Sequence, residues 1–387
     1  MRIVIVSLDS FSLFDTASSF IFGGAELRAS IFAKELAEKF PVEVIVVTKD
    51  QGVQEFHCGK VKIVPHPERK GEGYWAKRKS LAGKIKFKME TVFSPQNKKD
   101  ISGFFKSLRP DLLFVLGMNN EAKEVEQFCS ESKIPYIFGC ASDADLSEKF
   151  YKNSAEKDNS GNDCKGYWEV ITNAATVLVQ SRPQEKMLKK IFNRDGFLLH
   201  NPIDLTKQHR RNNAVSSDVL WVGKSSAIKQ PELVTALAKQ FPSKKFLMIL
   251  NNTAPEYWNK IKTEAPSNAE IIESIGANEI ESFFEQTRIL INTSTVEGFP
   301  NTFLQAAKYG KPIISLFADP DKMLEKYNSG ICCNGSIEMM YAALAKLLDD
   351  EKEYAGKSMA AVEYVNAYHD KKKIVDTLFR QMQLIVS

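Results

Sequence analysis

Arg288-Ile289-Leu290-Ile291-Asn292-Thr293-Ser294-Thr295-Val296-Glu297-Gly298-Phe299-Pro300-Asn301-Thr302-Phe303-Leu304-Gln305-Ala306-Ala307-Lys308-Tyr309-Gly310-Lys311-Pro312-Ile313-Ile314-Ser315-Leu316 is the stretch that decides the fold. Its first five residues form an apolar run of strand length, and 312–316 form another. Between them Gly298 suits a turn, Pro300 a first helical position, and Gly310 the stop after Tyr309. Strand, helix and strand within 29 residues make one βαβ unit, so the two strands should lie parallel. The amides around Asn301 and Thr302 then point beyond the strand ends, where a phosphate can bind. Gln305 lies one turn after Asn301 on the same face, and Glu297 sits in the loop just before the helix.

The same alternation runs outward through most of the chain. Strands are expected at 2–8, 42–48, 61–64, 112–116, 134–138 and 176–180, then at 218–222, 245–250, 270–273, 288–292 and 312–316. These are nearly continuous apolar, β-branched runs, the pattern of a parallel sheet covered on both faces. A helix is expected at 25–39, with Ala29, Phe32, Ala33 and Leu36 on one side. Two such series make two Rossmann-like domains facing an interdomain cleft, an α/β protein. The polar and basic residues of 201–217 mark the boundary. Domains of 1–200 and 201–370 follow, with a C-terminal helix at 371–387 returning to the first.

Composition agrees with a globular chain: 387 residues, 43% hydrophobic, 26% charged, net charge +4. That charge is too small to argue for nucleic acid. No apolar run reaches membrane-span length, and 1–8 lacks a signal-peptide cleavage site. The six cysteines show no CxxC spacing and read as reduced thiols of a cytoplasmic protein. Two insertions interrupt the first series. Residues 69–99 carry ten Lys and Arg against two Glu, with Tyr74, Trp75, Phe87 and Phe93 interleaved. A solvated helix is the common reading of such a run, and peripheral contact with an anionic membrane at its inner face is the alternative. Residues 149–165 are rich in Asn, Asp, Ser and Gly and read as a loop.

A second constellation lies at Leu220-Trp221-Val222-Gly223-Lys224-Ser225-Ser226-Ala227-Ile228-Lys229-Gln230-Pro231. A strand runs into Gly223, and Lys224 and Lys229 flank a small-residue loop. Exposed lysines there can neutralise a diphosphate. Gly23-Gly24 opens a helix after the first strand, so its amides could approach an acceptor or a phosphate.

Together these elements resemble the retaining GT-B glycosyltransferases of family 4. Gly223, Lys224 and Lys229 match the family's Gly-Arg/Lys…Lys element, and Glu297-Gly298-Phe299-Pro300-Asn301 its Glu-Gly-Phe segment. Gly23-Gly24-Ala25-Glu26 is similar to its N-terminal Gly-Gly-x-Glu loop. His200-Asn201-Pro202-Ile203-Asp204 is similar to its domain-junction segment, where His200 itself is read as having no chemical role. The resemblance implies a hexosyltransferase moving a sugar from a UDP- or GDP-type donor to a saccharide or lipid-linked acceptor in bacterial surface-glycan synthesis. Lys224 and Lys229 would grip the diphosphate, and Glu297 would contact the transferred sugar. Amides near Phe299–Thr302 would hold the distal phosphate, with Gly298, Pro300 and Asn301 also lining the donor. Backbone at 274–278, Ile275 included, would receive the base, and no metal or other cofactor is implied. Gly23, Gly24, Glu26 and Asp143 would serve the acceptor side.

Two departures stand out. Gln305 replaces the carboxylate expected to bind the ribose, and Gly139-Cys140-Ala141-Ser142-Asp143-Ala144-Asp145 lacks the His that many relatives carry. These departures suit one alternative, a non-catalytic subunit on the same scaffold; the other, a nucleotide-sugar 2-epimerase, is argued against by its usual Ser-Gly-Gly-x-x-Glu-Glu where this chain has Ser294-Thr295-Val296-Glu297-Gly298.

Overall fold

The computed structural model describes residues 1–15, 22–71, 100–158, 161–206, 215–273, 275–276 and 279–387. Most of the basic insertion (72–99) lies outside the described residues, as do 274, 277 and 278 of the expected base loop, 207–214 of the expected boundary, and 159–160. The chain forms two compact units. One comprises Met1–Val179, Glu185–Leu199 and Val375–Ser387; the other comprises Gln180–Gln184 and His200–Ile374.

The first unit is built on β1 (Arg2–Val6), β2 (Glu43–Asp50), β3 (Phe56–Cys58), β4 (Val61–Lys70), β5 (Leu112–Leu116), β6 (Tyr136–Gly139), β7 (Thr176–Val179) and β8 (Phe197–Leu198). Their order in the sheet is β3-β4-β2-β1-β5-β6-β7-β8. All neighbours pair in parallel except β3, which runs antiparallel to β4. Successive residues of β1 face opposite sides, and Ile3, Val4, Ile5 and Val6 are all buried. Both faces of the sheet are therefore covered, which explains why the strands read as unbroken apolar runs. The helix Gly24–Lys39 buries Ala29, Phe32, Ala33 and Leu36, with Phe32 5.9 Å from the Phe114 ring. Near the C-terminus, Phe379 stacks on Phe40 at 3.8 Å and Asp376 pairs with Lys39 at 2.5 Å.

The second unit holds β9 (Ser217–Lys224), β10 (Phe246–Asn251), β11 (Ala269–Ile272), β12 (Thr287–Asn292), β13 (Ile313–Ser315) and β14 (Gly330–Cys332). Their order is β11-β10-β9-β12-β13-β14, parallel throughout. Val219, Trp221, Met248, Leu250, Ile289 and Ile291 enter one apolar cluster. Their chain neighbours Leu220, Leu247, Ile249 and Leu290 enter another with Phe303 and Leu304. The period of two along each strand thus supplies a core on each face.

Three short strands, β3, β8 and β14, are additions to the sequence reading. β4 also runs on past the expected 64, through Pro65 and Pro67, to Lys70. There Arg69 meets Glu121 at 3.0 Å and Glu124 at 2.6 Å, and Lys70 meets Asp50 at 2.6 Å. The first two cations of the basic insertion are therefore paired within the sheet's own unit. No helix among the described residues is long and apolar enough to cross a membrane.

Candidate active site

In the second unit the two constellations meet at the carboxyl ends of β9 and β12. Trp221 is buried in β9 and donates its indole N–H to Thr293 Oγ1 at 2.9 Å. Thr293 Oγ1 donates in turn to the Lys229 carbonyl at 2.6 Å. The Thr295 amide donates to the Ile228 carbonyl at 2.9 Å. These three bonds strap the loop after β9 onto the loop after β12, and the strap fixes where Lys229 stands. Gln230 then turns the chain at φ +46°, a left-handed conformation that is strained for a residue with a Cβ, before Pro231 opens the next helix. A Cβ at Gly223 would come within 2.7 Å of the buried Trp221 ring, so glycine there first serves packing.

Lys229 Nζ lies 2.5 Å from Glu297 Oε1, and Asn292 Nδ2 donates to the same oxygen at 3.3 Å. Lys229 is mostly buried in this pair rather than exposed as its sequence suggested. Lys224 is exposed at the end of β9 and has no ion-pair partner among the described residues. One lysine is thus preset against a carboxylate, and the other is available to an incoming anion. Ser225 ties the loop sideways, its Oγ accepting from the Thr253 and Ala254 amides at 3.0 and 2.9 Å.

The helix Asn301–Lys308 begins one residue later than expected, because Pro300 is its N-cap at φ −63° and ψ 122°. The first amides of a helix have no intrahelical acceptor, so those of Asn301 and Thr302 open the helix toward the site. Phe299 behaves differently. Its N–H donates to Gln180 Oε1 at 3.2 Å, and its carbonyl accepts from Asn201 Nδ2 at 3.1 Å. Both main-chain groups are committed, so Phe299 anchors the turn at Gly298 and its amide is not offered to a phosphate. Asn201 also reaches Asn301 Oδ1 at 3.2 Å, and its carbonyl is 2.8 Å from His369 Nδ1. His369 is fully buried beside Phe299 and His200, and burial pushes its pKa down to about 3.

Gln305 is buried, and its amide nitrogen lies 3.5 Å from Glu281 Oε1. Glu281 Oε2 accepts from Lys308 at 2.6 Å and from the Tyr309 hydroxyl at 2.8 Å. A carboxylate stands in this region after all, supplied by the helix Ile280–Glu285 rather than by position 305. Ile275 and Gly276 precede that helix, and the Glu279 amide closes onto the Gly276 carbonyl at 3.0 Å.

In the first unit the Gly23 amide donates to Glu26 at 2.9 Å, so the helix supplies its own anion at that amide. Gly24 opens the helix behind it. Asp143 starts a short 3-10 turn, Asp143–Leu146. The nearby Asp145 is buried and accepts from the amides of Met118, Ala141 and Ser142 at 2.9, 2.6 and 2.9 Å. Burial raises its pKa while those amides oppose the rise. Asp145 is therefore the carboxylate that shapes this loop. Arg28 is buried beneath it, donating to the Cys140 carbonyl at 2.5 Å, and burial lowers its pKa to about 10.

Residues 217–350 match the family described as Glycosyl transferases group 1. The match spans β9 to β14 and so contains Lys224, Lys229, Glu297 and Gln305. No curated protein matches the sequence. Among solved structures, the chain is similar to a sucrose-phosphate synthase from Thermosynechococcus elongatus, with TM-score 0.76, 13% identity, and 99% of each chain covered. It is also similar to HepE of Anabaena, solved with UDP and glucose, with TM-score 0.70, 13% identity and 99% of each chain covered. A third is TarM of S. aureus, solved with UDP and α-GlcNAc-glycerol among its ligands, with TM-score 0.70, 12% identity and 100% of each chain covered. The fold is accordingly that of the GT-B glycosyltransferases, two Rossmann-like parallel-sheet domains.

Proposed function

We propose that the protein is a glycosyltransferase that moves a hexosyl group from a nucleoside diphosphate-sugar, of UDP or GDP type, to a saccharide or lipid-linked acceptor. The observation that carries this reading is the Lys229–Glu297 pair, strapped in place by Trp221 and Thr293 inside the segment that matches Glycosyl transferases group 1. The GT-B fold and the family match both support sugar transfer.

Breaking the bond between the anomeric carbon and the diphosphate leaves negative charge on the departing phosphate. Lys224, Lys229 and the helix end at Asn301 and Thr302 would stabilise that charge without a metal. Glu297 would then exchange its contact with Lys229 for the hydroxyls of the sugar being moved. Retention at the anomeric centre and a role in bacterial surface-glycan synthesis are part of the proposal and rest on resemblance. So does a cytoplasmic location with the basic insertion at an anionic membrane.

The test is turnover. Purified protein incubated with a panel of UDP- and GDP-hexoses should release nucleoside diphosphate, faster when the right saccharide acceptor is present. Lys229→Ala should slow release by about 100-fold, the cost of removing one preorganised charge. No release from any donor, with nucleotide binding intact, would turn the reading to the non-catalytic subunit.

A further inference from the structure

Next to Glu297, the ends of β12 and β13 carry a buried polar pair. Asn292, the last residue of β12, stands in register with Ser315, the last residue of β13. Alternate residues of a strand share a face. Leu290 and Ile313, two positions back, both enter the apolar cluster around Phe303 and Leu304. The Asn292 and Ser315 side chains therefore stand side by side on that same face, on strands about 4.8 Å apart. Asn292 is 6% exposed and Ser315 is fully buried.

The two side chains are unequally satisfied. Asn292 Oδ1 accepts from the Ser294 amide at 3.2 Å. Its Nδ2 donates to Ser294 Oγ and to Glu297 Oε1, each at 3.3 Å, so both bonds are long. Glu297 Oε1 has a closer partner in Lys229, at 2.5 Å. Ser315 Oγ, by contrast, has no hydrogen-bond partner among the described residues and is shut off from solvent. An orphaned buried hydroxyl costs stability unless some state of the protein gives it a partner. The side chain beside it is an amide whose hold on Glu297 is weak.

We propose, resting on the reading of the chain as a glycosyltransferase, that Asn292 is a positioning residue for Glu297 with two stations. In the free protein its amide holds Glu297 Oε1. When the hydroxyls of a donor sugar occupy Glu297, the amide turns to Ser315 Oγ, and the orphaned hydroxyl gains its partner. A carboxylate only accepts, so sugar hydroxyls that donate to Glu297 compete directly with the Asn292 amide. A nucleoside diphosphate without its sugar offers Glu297 no such hydroxyls and leaves the amide where it is. The bond to Ser315 therefore forms only with the intact donor, and it favours the donor over the spent nucleotide.

Two measurements on the whole protein test this. The first needs no ligand: urea denaturation of wild type, Ser315→Ala, Glu297→Ala and the double variant. With Glu297 present the Ser315 hydroxyl is orphaned, so Ser315→Ala should raise the unfolding midpoint. In the Glu297→Ala background the Asn292 amide already rests on Ser315, so the same change should lower it. The second is calorimetric titration of UDP and GDP beside UDP-glucose, UDP-galactose, UDP-N-acetylglucosamine and GDP-mannose. Ser315→Ala should weaken the donor that binds at least about threefold relative to its own nucleoside diphosphate, whose affinity stays that of wild type. Equal midpoint shifts in the two backgrounds, or an unmoved ratio of donor to diphosphate affinity, would overturn the proposal. Binding of no nucleotide at all, with midpoint shifts of opposite sign, would instead overturn the donor reading and, with it, the sugar as what moves the amide.

Discussion

Side chains far apart in the sequence decide the geometry of the site. Trp221 and Thr293 are 72 residues apart, yet their hydrogen bond sets the position of Lys229. Gln305 is the residue whose sequence reading changes most. The resemblance expects a carboxylate at 305, but Glu281 already lies 3.5 Å from the Gln305 amide. Gln305→Glu would set two carboxylates against each other in a mostly buried place, raising the pKa of at least one. A carboxyl whose folded pKa is raised loses stability as pH rises through the carboxylate range. The variant should therefore be about 1 kcal/mol less stable at pH 7, recover that loss near pH 4, and be rescued by Glu281→Gln. Urea denaturation at the two pH values measures it. Equal stability of Gln305→Glu and wild type at pH 7 would mean the two side chains do not meet. Lys229 and Glu297 were legible because spacing and residue type single them out beside a strand end. Glu281, Trp221, Thr293 and Asn201 were not, because nothing local marks a side chain whose partner lies in another element.

Strands of five or more apolar residues were legible because burial on both faces leaves an unbroken run. The short ones were not. Phe56-His57-Cys58 and Gly330-Ile331-Cys332 are too brief for any periodicity, and prolines disguise the far half of β4. Gly310 does stop the helix Asn301–Lys308, at φ +63°, and Lys311 follows it into the core before β13. Burial pushes the pKa of Lys311 down to about 8, with Glu285 opposing and Arg288 adding to the shift. Because the folded pKa lies below the unfolded 10.5, the native state releases its proton first. Stability should then rise with pH between about 8 and 10.5. Lys311→Met should remove that rise and add on the order of 2 kcal/mol at pH 7, where the wild type buries a charge. Thermal denaturation at pH 7 and pH 10 gives both quantities, and a destabilised Lys311→Met protein at pH 7 would contradict this account.

Across the whole molecule, two parallel sheets were legible from the repeated alternation of strand and helix, while the division into units is finer than any single cut. His200 and His369 lie in the second unit with their rings 5.2 Å apart. Burial lowers the pKa of both, that of His369 to about 3. A histidine held neutral in the fold binds protons only on unfolding, so stability is lost as pH falls below 6.5 toward 3. The His369 contribution should be about 1.4 kcal/mol per pH unit within that window, and His369→Gln should flatten the slope. An unchanged slope would show that other groups govern acid unfolding. The central claim, that Lys229 beside Glu297 receives a nucleoside diphosphate, is tested most directly by calorimetric titration of UDP and GDP into wild type and Lys229→Ala. The account predicts that one of the two binds wild type and that Lys229→Ala binds it at least about tenfold more weakly, with little change for a remote control such as Lys260→Ala. Binding of neither nucleotide, or equal binding by wild type and Lys229→Ala, would contradict it.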